Sequence, residues 1–402
     1  MTLKNSLCPD GATGSTITRR GALLGLTAAF TLGRVSLAFG NAATQNRFVV
    51  FLLRGALDGL SAVQPYGDPD FASLRGSLAN GQPGAQDGVL DLGGFYGLHP
   101  SLQNLHTMYA ANEVLIIHAA AGHYRSRSHF EAQDYLESGA DQRLNSGWLN
   151  RAVATMAGAG SQDLALTMGL SAPLLLRGPA KVEAWAPAHF GGEPSDELIG
   201  RIMAVTQHDP LIGPALREGL KERGVQPAGA SGARTAHEIV LASTAGEMLA
   251  RPNGPRVAAL EMGGWDTHAA QVGRLKNQLR QLDDALAALK QGLGPAWRQT
   301  VVLVVTEFGR TAHINGTGGT DHGTGGVAIL AGGAVAGGKV RADWPGLGSG
   351  RLFENRDLQP TTDVRAVAKG VLAAHMGLDA GALERVFPGS GDAAGLGGLV
   401  RV

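Results

Sequence analysis

Carboxylates and imidazoles in this sequence recur a few residues after short apolar runs. Arg47–Leu53 is followed by Arg54-Gly55-Ala56-Leu57-Asp58-Gly59, and Arg256–Met262 by Gly263-Gly264-Trp265-Asp266-Thr267-His268. Thr300–Val305 is followed by Thr306-Glu307-Phe308-Gly309-Arg310, and Gly319-Thr320-Asp321-His322-Gly323 leads into Val327–Ala331. Asp58, Asp266, His268, Glu307, Asp321 and His322 together offer enough oxygen and nitrogen donors for one or two divalent ions. A mixed carboxylate and imidazole set suits zinc or manganese better than calcium. Asp266, His268 and His322 are expected to share one ion, with Asp321 either a ligand or the acceptor that fixes the other nitrogen of His322.

Each residue also has a structural reading. Asp58 before Gly59 is a common turn residue. Asp266-Thr267 can open a helix as its cap, with His268 in the first turn. Glu307 can pair with Arg310. His322 is harder to place this way, because a histidine in a glycine-rich loop gains nothing from packing. His123 and His129 flank the arginine pair Arg125 and Arg127, where solvated histidines are equally at home. The other histidines (His99, His106, His118, His189, His208, His237, His313 and His375) are taken as structural.

The hydroxyls of Ser126 and Ser128 sit between and beside those arginines. Ser128-His129-Phe130-Glu131 fits the capping box that starts a helix. A hydroxyl at a helix N-terminus also lies in a field that attracts anions. With Arg125 and Arg127 binding the anionic group, Ser128, or less readily Ser126, is a candidate nucleophile once a metal or base activates it.

Elements of the right kind exist to position these residues. Arg47–Leu53, Val114–His118, Leu164–Met168, Arg256–Met262, Thr300–Val305 and Val327–Ala331 are mostly continuous apolar runs, as expected of strands covered on both faces. Helical spacing is clearest over Thr267–Gln291, where Val272, Leu275, Leu279, Leu282, Leu286 and Leu289 recur by threes and fours. Ser101–Ala111, His129–Ser138, Leu149–Ala157, Ser195–Thr206, Ala236–Leu249 and Thr361–His375 also read as helices. Alternating strands and helices imply an α/β fold with a mostly parallel sheet, and ligands of such sheets bind beyond the carboxyl ends of the strands.

Composition narrows the function classes. Lys+Arg and Asp+Glu are both 34, which argues against a general nucleic-acid binder. Cys8 is the only cysteine, so no intrachain disulfide forms. Thr18-Arg19-Arg20-Gly21-Ala22-Leu23-Leu24 opens an apolar, Gly/Ala-rich run to Phe39 that contains Arg34. Paired arginines before such a run indicate a twin-arginine export signal rather than a permanent membrane span. Residues 1–43 are therefore expected to form the signal, with the twin-arginine translocase as partner and a periplasmic or secreted destination. Residues 44–402 are expected to form one domain with a helical insertion around 195–250.

The segments "FLLRGALDGLSAVQP", "RSRSHFEAQDYLESG", "GGWDTHAAQ" and "TEFGRTAHINGTGGTDHGTGG" resemble the DUF1501 family of the alkaline phosphatase-like superfamily, which includes sulfatases. The resemblance runs from about Arg47 to the C-terminus. It implies a three-layer α/β/α sandwich, a two-metal site and phosphoryl or sulfuryl transfer. By position, Asp58 resembles the first metal carboxylate and Ser128 or Ser126 the nucleophile. Asp266 and His268 resemble the later ligand pair, Glu307 the strand-end carboxylate, and His322 the final histidine. Glu307 stands where the superfamily usually has Asp, and Phe308 where it usually has His, which puts one of the two metals in doubt. No serine is followed by Pro two residues on and Arg at four, so a formylglycine route is not supported.

The leading expectation is an exported, metal-dependent hydrolase of small-molecule or glycan phosphate or sulfate esters, with Arg310 or Arg125 holding the anion. The competing expectation is a non-catalytic exported binding or assembly protein that keeps the fold. A metallopeptidase is the weakest reading, since no His-Glu-x-x-His occurs.

Overall fold

The computed structural model describes residues 44–156, 164–169, 171–186 and 231–401, with side chains from 237 onward in the last segment. The expected export segment and the expected helix Ser195–Thr206 lie outside these residues. Of the expected insertion at 195–250, the described part is the helix Ser231–Ala250.

The strands are β1 (Arg47–Leu53), β2 (Val63–Gln64), β3 (Leu90–Asp91), β4 (Gly97–Leu98), β5 (Val114–Ala121), β6 (Ala165–Met168), β7 (Val182–Trp185), β8 (Val257–Met262), β9 (Thr300–Thr306), β10 (Gly326–Ala331), β11 (Lys339–Arg341) and β12 (Thr362–Asp363). The large sheet runs β11-β5-β10-β9-β1-β8-β6-β7, with β12 also paired to β5. β2, β4 and β3 form a small antiparallel sheet.

β1 explains the layering. Its residues are all buried, and alternate side chains enter different cores. Val49, Phe51 and Leu53 meet helices Gln103–Ala110, Ser231–Ala250 and Gln271–Leu293. Phe48, Val50 and Leu52 meet helices Trp148–Met156, Val364–Ala374 and Ala380–Val386. The result is the expected three-layer α/β/α sandwich.

Two departures from the sequence expectation shape the site. The long helix begins at Gln271 rather than Thr267, and Ala270 before it is left-handed (φ 48°). The N–H groups of Ala270 and Gln271 bond to the carbonyls of Thr317 and Gly318. Residues 263–270 thus stay a loop pinned to the next loop, and the expected helix-start role of Asp266-Thr267 is not realised. Val272, expected on the apolar stripe, is exposed, and the buried stripe begins at Leu275.

The second departure is strand direction. β1 pairs in parallel with β8 and β9, but β10 is antiparallel to both β9 and β5. The connection 307–325 therefore leaves and re-enters the sheet at the same edge. That edge holds the carboxyl ends of β1, β5, β8 and β9.

Candidate metal centre

The loop after β8 supplies Asp266 and His268. Thr267 between them is fully buried, and its hydroxyl lies 3.0 Å from the Gln271 side-chain oxygen. In extended chain, alternate residues share a side, so burying Thr267 turns Asp266 and His268 outward together.

The loop 307–325 supplies His322. It lies flat against its neighbours because of its glycines. A Cβ on Gly319 would sit 2.4 Å from the backbone of His268, and one on Gly323 would sit 2.4 Å from that of Arg310. The buried Arg310 ties the two loops together. It donates to Asp266 Oδ1 at 2.7 Å, to the Thr320 carbonyl at 2.5 Å and to the Thr320 hydroxyl at 3.2 Å.

A third histidine arrives from a different element. His129 is the first residue of helix His129–Ser138, after β5. Its Nε2 lies 2.9 Å from His322 Nε2 and 3.6 Å from Asp266 Oδ2. His268 Nε2 lies 2.9 Å from His322 Nε2 and 3.0 Å from Asp266 Oδ1. His322 Nε2 lies 3.3 Å from Asp266 Oδ1. Three imidazole nitrogens and one carboxylate thus converge.

The outer ring nitrogens decide what this convergence means. His129 Nδ1 lies 2.7 Å from Glu307 Oε1, His268 Nδ1 3.0 Å from Asp321 Oδ1, and His322 Nδ1 3.0 Å from the Arg127 carbonyl. Carboxylates and carbonyls only accept hydrogen bonds, so each Nδ1 carries the proton. In the neutral rings each Nε2 is then a lone pair, and three lone pairs face one another beside a carboxylate. That array repels itself unless a cation occupies its centre. Tetrahedral zinc with ligands at ~2.0–2.1 Å requires donors roughly 3.3 Å apart; the donor atoms of His129, Asp266 and His322 all lie within 4.8 Å of one another, with His268 Nε2 beside His322 and Asp266. The residues fit a divalent ion.

Local electrostatics agree. The Glu307 hydrogen bond raises the proton affinity of His129, while burial and the His129 charge lower that of His322. Burial opposes charge on Asp266 and Glu307. Arg310 nevertheless holds Asp266 below the usual carboxylate range, and bonds from His129, Gln133 and the Gly55 N–H do the same for Glu307. His268 and Asn315 lower Asp321.

The other expected site residues take different places. Asp58 is buried, and its carboxylate is engaged by Arg75, Ser61 and Gln271, none of which belongs to the cluster. It caps the short helix Gly59–Ala62. Glu307 lies behind His129 instead of facing the centre, with the Thr306 hydroxyl 2.9 Å from its second oxygen. Asp321 serves His268, not His322, whose acceptor is the Arg127 carbonyl. Among the described residues one group of three such donors occurs, His129, Asp266 and His322; Asp58 and Glu307, expected among the ligands of one or two ions, are not part of it.

Arg310, expected to hold an anion, is buried and donates from all three nitrogens within the protein, one of them to Asp266. The Arg127 guanidinium is engaged by Asp357 and Glu354. Arg127 is left-handed (φ 60°), which turns its carbonyl toward His322. Arg125 donates to the carbonyls of Gly122 and Tyr124; burial lowers its pKa, and the charge of Asp363 partly offsets this. Ser128 occupies the N-cap position without a side-chain capping bond, and Glu131 accepts from Tyr124 instead. The expected capping box is therefore not formed. Of the two serines, Ser126 is the more exposed.

His129 is the residue that sequence reasoning missed. The available signal was its alignment with Gln133 and Glu137, four and eight residues on, along one helix face.

The family described as a protein of unknown function, DUF1501, matches residues 121–387, well over half of the sequence. The chain belongs to the DUF1501 family. No curated protein matches it. Among solved structures, this DUF1501 member is similar to Ps i-CgsB, at 10% identity and a TM-score of 0.41, covering 88% of this chain and 77% of that one. It is also similar to a protein in the alkaline phosphatase superfamily from Vibrio parahaemolyticus (11%, TM-score 0.38, covering 88% and 74%). A third is the zinc complex of the C-terminal periplasmic domain of EcEptC from Escherichia coli (8%, TM-score 0.35, covering 74% and 76%). At such identities none of these likenesses assigns a role to a residue of the DUF1501 chain.

Proposed function

We propose that this protein is an exported, metal-dependent hydrolase of phosphate or sulfate esters that works with one divalent ion, zinc or manganese, held by His129, Asp266, His268 and His322. The observation that carries the reading is the set of three imidazoles whose Nδ1 protons are all held outward. Their Nε2 lone pairs are thereby left facing Asp266.

An ion bound there would supply Lewis-acid polarisation of an ester oxygen. Glu307, Asp321 and the Arg127 carbonyl keep the three rings in the ligating tautomer. Arg310 fixes Asp266. Arg125, whose guanidinium is bonded to backbone carbonyls of its own loop, is assigned to the anionic group of the ester. Ser128 is assigned as nucleophile, displacing the alcohol to give a serine ester that water then hydrolyses. The absent capping bond supports this role, because it leaves the hydroxyl off the helix backbone.

The Asp266 and His268 side chains are 43% and 45% exposed, so one side of the cluster is open to solvent. This open side would leave the ion a position for substrate beyond its protein ligands, as a catalytic ion needs. Export through the twin-arginine route is proposed from Arg19-Arg20. Among the described residues no helix is long and apolar enough to cross a membrane.

The test is elemental analysis of the purified protein combined with turnover of aryl phosphate and aryl sulfate. Metal-dependent release of the phenol, lost in His322→Ala, is expected. Full metal loading without turnover of either ester would favour the binding reading.

A further inference from the structure

We propose that Gln133 is a positioning residue for this centre. It orients Glu307 on His129, and Arg54 at the end of β1 sets which way its amide points. The proposal rests on the reading of the cluster as a cation site.

His129, Gln133 and Glu137 follow one another at intervals of four on helix His129–Ser138, so they share one face. Glu137 anchors the far end of the row. It is buried, accepting from Arg54 Nη1 at 2.7 Å and from the Leu175 N–H at 2.8 Å. Arg54 also pairs with Glu261 on β8. Its Nη1 lies 3.1 Å from Gln133 Oε1.

A guanidinium donates and never accepts. The amide oxygen of Gln133 must therefore face Arg54, which leaves its NH2 toward Glu307. There Nε2 donates to Glu307 Oε1 at 3.1 Å. The flipped amide would set donor against donor at one end and acceptor against acceptor at the other. The same Glu307 oxygen also accepts from the Gly55 N–H at 2.8 Å and from His129 Nδ1 at 2.7 Å. Three donors fix it in place, and His129 keeps its proton on Nδ1 with Nε2 directed into the cluster. Leucine would fill this volume and favour the helix equally well, so the amide itself is the informative feature.

The test compares wild type with Gln133→Leu, Arg54→Met and Arg54→Lys, all as the full exported chain freed of metal. Zinc affinity is read by competition with a chromophoric chelator. The His129 tautomer is read from nitrogen-15 shifts of labelled histidine in alkaline buffer. Gln133→Leu and Arg54→Met are expected to weaken zinc binding by about 10–100-fold, as loss of an outer partner does, and to move part of the His129 population to the Nε2–H form. Arg54→Lys keeps a donor-only cation and should stay nearer wild type than Arg54→Met. A folded Gln133→Leu with wild-type zinc affinity and an unchanged tautomer overturns the proposal. If Gln133→Leu does not fold, the two Arg54 variants decide, and equal behaviour of Lys and Met overturns it. Wild type that binds no zinc defeats the cation reading itself, while the tautomer shift still decides the role of Gln133.

Discussion

Asp58 and Asp266 follow neighbouring parallel strands and lie at the same edge of one sheet, yet their surroundings are opposite. Asp58 is buried, and the cation beside it is Arg75, a residue of the chain. Asp266 is half-open and faces three imidazole lone pairs. A carboxylate beyond a strand is thus not a ligand by position alone. What makes it one is a neighbourhood with lone pairs to spare.

The two regions are also joined. Gln271 donates to Asp58, and its oxygen lies 3.0 Å from the Thr267 hydroxyl and 2.6 Å from that of Thr320. Arg75 donates to the carbonyls of Thr311 and Ala312 in the loop that carries His322. The self-satisfied region is therefore the scaffold of the unsatisfied one.

The largest effect expected from breaking this contrast is on stability. Asp58→Ala leaves Arg75 buried without its partner, which should cost about 3–5 kcal/mol in denaturant unfolding. The folded fraction should still bind its ion. His322→Ala should show the reverse: near-normal stability with metal content lost. Equal metal loss in both variants would erase the distinction.

Histidines sharpen the comparison through pH. His118 is fully buried, with Nε2 2.8 Å from the Val63 carbonyl and Nδ1 accepting the Ala119 N–H. Burial pushes its pKa down to about 4. Its folded value lies below the unfolded value of about 6.5, so between these values the unfolded chain binds more protons. The stability His118 contributes is then present above about pH 6.5 and lost as pH falls toward about 4, on the order of 3 kcal/mol. His129 in the metal-free chain has the opposite sign. Its proton affinity is raised, so its contribution is present below the ordinary histidine range and lost as pH rises through its own higher value. Unfolding midpoints across this range, with and without His118→Gln, check the first effect. An acid slope unchanged by that substitution would contradict it.

The smallest expected stability change belongs to Ser128→Ala. A capping serine contributes about 1 kcal/mol, but the Ser128 side chain makes no capping bond. The variant should unfold close to wild type and bind its ion normally, while turnover of an aryl ester collapses. Retained turnover would remove the nucleophile role.

Much of the scaffold was legible because buried parallel strands are continuous apolar runs, and β1 appears in the sequence with its final boundaries. His322 was legible as a donor in a glycine-rich loop where packing offers it nothing, and Asp266 and His268 by their place after a strand, although a helix start was an open reading for them. His129 was not, because a histidine inside a Ser-x-x-Glu string reads as part of a helix cap. Neither was the fate of Asp58, since Arg75 lies 17 residues away with no periodic signal linking the two. The reversal of β10 was invisible for a similar reason. An apolar run reads the same in either direction, and only the pairing shows that the Glu307 and His322 ends of one loop meet at a single edge.

The central claim is that one ion is held by three imidazoles and Asp266, with no second ion at Asp58. Elemental analysis of the purified, folded protein beside His129→Ala and Asp58→Asn tests it most directly. The account predicts one zinc or manganese per wild-type chain, loss of that ion in His129→Ala, and its retention in folded Asp58→Asn. Two ions per wild-type chain with one lost in Asp58→Asn, or a full equivalent in His129→Ala, would contradict it.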